Sequence, residues 1–391
     1  MKFTIVIFLL LVITKSPNND DSHTIKDTNE LPFELIKEKV IVPVEINGKS
    51  YKFLLDTGGI FEISQGLQNE FNFDKTSTTT IIDINRNEIE LNTVVVPEIK
   101  LGNWTFSNRK AIVSDLPHKY PYSCFDLDGM IGRDFFDDVI LQFDHASGTF
   151  RMTDDIKALS FDKANRTKLK FSKRGLPEFK VTIDGKSEFI EFDSGSGDLY
   201  SPKTEEVEKR QVRNGNTKLL EFEGQFSFGV TMDDIKNSTR YMEKIERLEI
   251  ANTTFNNFYS QFSKASAPRI GAAILKYGKL TLDYKSGWFY FSPYSKSPKM
   301  VRYETFGFDI AIIDGNYVVK YVLVDSEAEK LGLRPGSKIL MINNFSTKER
   351  NFDCEGYLNG YSFNDKPTIE IMFLDISEEE KTIILHKTAH N

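Results

Sequence analysis

From about residue 35 to residue 297, apolar residues fall in short runs rich in Val, Ile, Phe and Tyr, broken by Gly and Asn turns. That pattern predicts β-strands. Helical spacing is sparse. The clearest helix candidate is Pro202 to Asn214, "PKTEEVEKRQVRN", with Ser201 placed to cap it and Pro202 at its first position. The fold class expected is mainly β.

The pattern also repeats. "INGKSYKFLLDTG" (46–58) is answered by "IDGKSEFIEFDSG" (183–195), so that Asp56 and Asp193 lie 193 − 56 = 137 residues apart. Asn47-Gly48 and Asp184-Gly185 precede them, and both dipeptides favour two-residue hairpins. Downstream, "IKLGNWTFSN" (99–108) resembles "LEIANTTFNN" (248–257), and Ile131-Gly132 is echoed by Ile270-Gly271. "LQFDHASGTFRM" (141–152) resembles "LTLDYKSGWFYF" (280–291). Matches in the same order point to two tandem homologous units.

One Asp per unit changes the chemistry that is available. Asp followed by Thr-Gly is ordinary turn chemistry when it occurs once. A twofold-like axis between two such units would bring Asp56 and Asp193 face to face, where like charges cannot both ionise easily and the pair keeps one proton. One carboxylate can then take a proton from water while its partner donates one to a carbonyl oxygen. Thr57 and Ser194 offer hydroxyls to tie the two loops together, and Gly58 and Gly195 allow close backbone approach. Ser196 is placed to hydrogen-bond Asp193, whereas Gly59 at the matching position has no hydroxyl.

On these residues the chain resembles the aspartic proteases. "LLDTGG" and "FDSGSGD" are similar to the paired Asp-Thr/Ser-Gly motifs of pepsin-like enzymes, and "DGMIGRDFF" (Asp128 to Phe136) to the apolar-apolar-Gly element that packs beneath the catalytic loop in that family. The resemblance covers roughly residues 35 to 297. It implies two retropepsin-like β-barrel lobes, 35–157 and 158–297, forming a pepsin-like pseudo-dimer with a peptide cleft between them and a flap over it. It implies Asp56 and Asp193 as the catalytic dyad, with Thr57, Gly58, Ser194, Gly195 and Ser196 in support. The chain departs from the family at Arg269, which stands where an apolar residue is expected, beneath the second loop. The hairpin Ile81 to Leu91 is the flap candidate by position alone.

Pro293 to Pro298 reads as a linker. After it, "VLVDSEAEKLGLRPGSKILMINN" places Ser326 as the cap of a short helix, Gly332 at its end, and Pro335-Gly336 as the turn into a strand over Lys338 to Ile342. Residues 298–391 resemble a PDZ domain of the bacterial type. That resemblance implies an extended peptide or a C-terminal carboxylate bound as an added strand, with Phe306, Gly307 and Phe308 at the entry loop and the amides around Gly307 holding the carboxylate.

At the N-terminus, Lys2 precedes the apolar run Phe3 to Ile13, which is too short to span a bilayer and suits a secretory signal over residues 1–16. An uncleaved anchor or a buried strand is the alternative. Residues 17–34 read as a polar leader. Export to the periplasm or the medium is therefore expected, with no transmembrane span beyond an uncleaved signal. The net charge of −7 and the pI near 5.5 argue against a nucleic-acid partner. Cys124 and Cys354, the only cysteines, are distant in sequence and indicate no disulfide framework. The five histidines are scattered, no metal-ligand spacing appears, and no cofactor is called for. The reading reached is an aspartic endopeptidase acting on peptides or proteins. The alternative is a catalytically inactive peptide-binding protein using the cleft between the lobes and the PDZ groove.

Overall fold

The computed structural model describes residues 29–82, 88–119, 121–172, 176–214, 219–226, 236–262, 268–313, 315–347, 354–359 and 363–390. The N-terminal signal expected over 1–16 lies outside them, as does the tip of the hairpin at Ile81 to Leu91. That hairpin's arms are the strands Lys75–Ile82 and Glu88–Leu101, paired antiparallel.

The chain is mainly β, and the α-helices among the described residues of its first three hundred are the short Gln65–Phe71 and Thr204–Asn214. The first unit is an eight-stranded sheet in which Lys39–Ile46 and Lys49–Leu55 form a tight hairpin. Its turn places Asn47 at φ 51° and Gly48 at φ 77°, the left-handed pair that Asn-Gly tolerates best. Lys39–Ile46 also meets Glu88–Leu101, which curls the sheet round on itself. The second unit repeats this hairpin with Pro177–Ile183 and Lys186–Asp193, and Asp184 and Gly185 at φ 47° and 81°. The helix expected from Pro202 begins at Thr204. Ser201 is not its cap: its backbone bridges Arg269, and its hydroxyl donates to Asp198 Oδ2 at 2.8 Å. The extended backbone that this bridge requires overrides the local capping signal.

The two units join through one antiparallel sheet, in which Ile140–Asp144 of the first pairs with Gly278–Asp283 of the second. These are the strands of the fourth sequence match, and Gln142 donates to Thr281 Oγ1 at 2.8 Å across the seam. A single apolar core runs through both units and includes Phe53, Phe143, Phe192 and Phe289, all almost fully buried. Each such side chain contributes roughly 1.5–3 kcal/mol relative to exposure. Residues 29–34, read as the end of a polar leader, depart from that expectation. Asn29–Pro32 is an outer strand of the joining sheet, paired with Thr149–Thr153, because Leu31 and Phe33 are buried in the core.

The remainder has a separate core that includes Phe308, Val319, Leu333 and Phe373. Ser326 caps the helix Glu327–Lys330 by accepting from Glu329 N at 3.2 Å, Gly332 ends it at φ 92°, and the strand Lys338–Ile342 follows. This C-terminal unit is attached to both of the others. Asn316–Leu323 pairs with Leu220–Phe226 of the second unit, over a small core that includes Phe222, Met242 and Tyr321. On the other side Cys124 and Cys354 form a disulfide with Cα atoms 5.0 Å apart, and Tyr357 and Leu358 pack against Ile41, Leu54, Phe125 and Leu127. The expectation of no disulfide is thereby corrected. Sequence distance concealed a pairing that only the docking of the C-terminal unit creates.

Candidate active site

Asp56 and Asp193 end equivalent strands. Lys49–Leu55 runs parallel to Gly129–Ile131, and Lys186–Asp193 runs parallel to Arg269–Gly271. In each unit the Gly of the apolar-apolar-Gly element presses on the Asp loop. A Cβ on Gly132 would lie 2.3 Å from Ile60 backbone, and one on Gly271 2.3 Å from Asp198 O. No side chain fits at either place, so the motif is a packing requirement of the loop above it.

Each carboxylate has the same cradle. Asp56 Oδ1 accepts from Gly58 N (2.9 Å) and Gly59 N (3.0 Å), and Asp193 Oδ1 accepts from Gly195 N (3.0 Å) and Ser196 N (3.2 Å). Ser196 thus contributes its backbone amide. The two loops are then cross-tied. Thr57 N donates to Ser194 Oγ (3.0 Å) and Ser194 N to Thr57 Oγ1 (3.1 Å), while Thr57 Oγ1 donates to Phe192 O (2.9 Å) and Ser194 Oγ to Leu55 O (2.7 Å). Both hydroxyls are completely buried, so these four bonds have no competition from water.

The tie brings the carboxyls together. A Cβ on Gly195 would lie 2.2 Å from Asp56 Oδ2, and one on Gly58 would lie 3.2 Å from the Asp193 carboxyl. Each carboxyl therefore abuts the glycine of the opposite loop. Burial pushes Asp56 up to about 7, with the charge of Asp193 and the hydrogen bond to it acting in the same direction. The Gly58 amide and the Lys39 ammonium oppose the shift. Two carboxyls this close resist double ionisation.

Two cations border the pair. Lys39 Nζ donates to Gly195 O. Arg269 Nη1 donates to Asp193 Oδ2 at 2.5 Å, with both side chains largely buried. The sequence marked Arg269 as a departure, and its contact is with the carboxylate itself. Lys39 had no signal in the sequence, because only the fold brings the start of its strand to the second loop.

In the C-terminal unit, Phe306 and Phe308 line a cavity of about 330 Å³ together with Ile310, Phe363, Lys320 and Arg240, the last supplied by the second unit. The Gly307 amide, expected to hold a ligand carboxylate, donates instead to Thr305 Oγ1 at 3.0 Å. Among the described residues no group of three or more His, Cys, Asp or Glu side chains is placed to hold a metal ion.

No curated protein matches the chain. Residues 42–135, from the first hairpin through Asp56 to the segment Gly132–Phe135, match the family model described as aspartyl protease, which supports an aspartic protease family and a hydrolase.

Proposed function

We propose that the chain is an aspartic endopeptidase in which Asp56 and Asp193 activate a water between them. The observation that carries this is the pair itself: two carboxyls, each against the glycine of the opposite loop, on loops locked to one another through Thr57 and Ser194. A water held by such a pair loses a proton to the ionised carboxylate as its oxygen attacks the peptide carbonyl. The protonated carboxyl donates to the carbonyl oxygen. When the resulting diol collapses, the proton taken from water passes to the amine nitrogen, and the donor carboxyl recovers its own. The rigid cradles supply orientation. Thr57, Gly58, Ser194, Gly195 and Ser196 are supporting groups in this reading.

The two units are read as lobes, 35–157 and 158–297, with the peptide cleft where their Asp loops meet. Residues 298–391 are read as a PDZ domain whose groove takes a peptide partner. Phe306 and Phe308 wall the cavity there, and with the Gly307 amide engaged, side chains carry the recognition. Export follows from the apolar N-terminal run, and the Cys124–Cys354 disulfide supports an oxidising compartment.

The test is digestion of a peptide mixture with and without a chelator and with serine- and cysteine-directed acylating reagents. The proposal expects cleavage that none of these abolishes. Cleavage that a chelator or an acylating reagent stops would sink it.

A further inference from the structure

The two Asp loops share a hydrogen-bond frame but differ in the residue that covers each carboxyl. In register, Leu54 sits beside Met130 in the first unit, and Glu191 beside Arg269 in the second. Met130 and Arg269 are therefore equivalent positions. The Met130 methyl crowds Gly59 together with the Asp56 carboxyl, since a Cβ there would lie 3.0 Å from each. The Arg269 guanidinium instead bonds Asp193 Oδ2, the oxygen that the Gly195 and Ser196 amides leave open. One carboxyl has an apolar neighbour and the other a cation.

We infer that Arg269 is a positioning residue that keeps the negative charge of the pair on Asp193 and its proton on Asp56, and so moves the pair's working range. The inference rests on the reading of Asp56 and Asp193 as a working dyad and deepens it. A cation against one member of a coupled pair favours the ionised form of that member. The proton then rests on the partner, against which no cation is seated among the described residues. Asp193 becomes the group that takes the proton from water, and Asp56 the group that gives one to the carbonyl oxygen.

Other charges near the pair include Lys39, Asp198 and Glu191. Lys39, on the strand Lys39–Ile46, acts on both Asp56 and Asp198. Asp198, in the loop beyond Asp193, is pushed up by burial and bonded by Ser201 and Gln261. Glu191 flanks Arg269 on the neighbouring strand. Of these, only Arg269 is seated on a dyad carboxylate, with its donor 2.5 Å from the acceptor.

The experiment is the titration of the carboxyl pair, followed by carbon NMR of protein labelled at the aspartate carboxyls, in the parent and in Arg269→Met. That substitution gives both units the same apolar cover. Loss of the cation should move the titration of the pair to higher pH by about 1–3 units, and the pH profile of peptide cleavage should move the same way. Arg269→Gln should follow Arg269→Met, and Arg269→Lys should stay near the parent, so a folding failure of the Met variant leaves two variants to decide. Coincident titrations in parent and Gln or Met variants would overturn the inference. So would a cleavage profile that stays in place or moves to lower pH in these variants. If the parent cleaves nothing, the proposed function fails, while the titration still decides where the charge lies.

Discussion

The loops at Asp56 and Asp193 were built to one plan and finished differently. Each carboxylate accepts two backbone amides, and each loop lends a hydroxyl to the other. These features follow from strand geometry and from small residues at fixed places, so duplication preserves them. The surroundings do not repeat. Glu62 faces Met130 in the first unit, whereas Ser201 faces Arg269 in the second. A frame set by main-chain packing can thus hold two chemically unlike carboxyls in symmetric positions, and unlike carboxyls are what acid–base division of labour needs.

The sharpest way to break the comparison is to neutralise each Asp in turn. Asp56→Asn and Asp193→Asn should each reduce cleavage by at least about 10²–10⁴-fold, yet move stability in opposite directions. Asp56→Asn removes a carboxyl held up to about 7 and should raise the melting temperature above that pH. Asp193→Asn leaves the Arg269 cation without its carboxylate and should cost about 3–5 kcal/mol. Thermal unfolding of both variants at pH 8 checks this, and shifts of the same sign would refute the asymmetry.

The cross-tie tests the shared frame. Thr57→Val would strand the Ser194 amide and leave the Phe192 carbonyl without its buried donor, at about 2–4 kcal/mol. Ser194→Ala would do the same to Thr57 N and Leu55 O. Denaturant unfolding should return similar costs for the two; a large difference would show that the tie is carried by one side.

The smallest effect concerns Glu62, whose carboxyl is buried and accepts from Ser114 Oγ at 2.5 Å. Burial pushes it up to about 7. Because the folded form binds its proton more tightly than the unfolded chain, stability falls as pH rises from about 4.5 through 7. Glu62→Gln keeps an acceptor for Ser114 and should gain about 1–3 kcal/mol at pH 8 and little at pH 4. Equal effects at both pH values would show that the group stays ionised.

Much of this was legible in the chain because it is local. The Asn47-Gly48 and Asp184-Gly185 turns, the Ser326 cap and the Gly332 stop each depend on residues within one turn of themselves. The paired Asp motifs were legible because a repeat fixes equivalence without coordinates. What stayed hidden depends on docking: Lys39 reaching Gly195, Cys124 meeting Cys354, and Asn29–Pro32 joining the central sheet. Ser201 misled because a cap residue and a bridge residue have the same composition, and only Arg269 across from it decides between them.

The central claim is that the two carboxyls together hydrolyse peptide bonds. It is tested most directly by digesting one peptide mixture in parallel with the parent, Asp56→Asn and Asp193→Asn from acidic to mildly alkaline pH, with products read by mass spectrometry. The account predicts a defined set of cleavages by the parent and loss of that whole set in both variants. Cleavage that survives in either folded variant, or none by the folded parent, would contradict it.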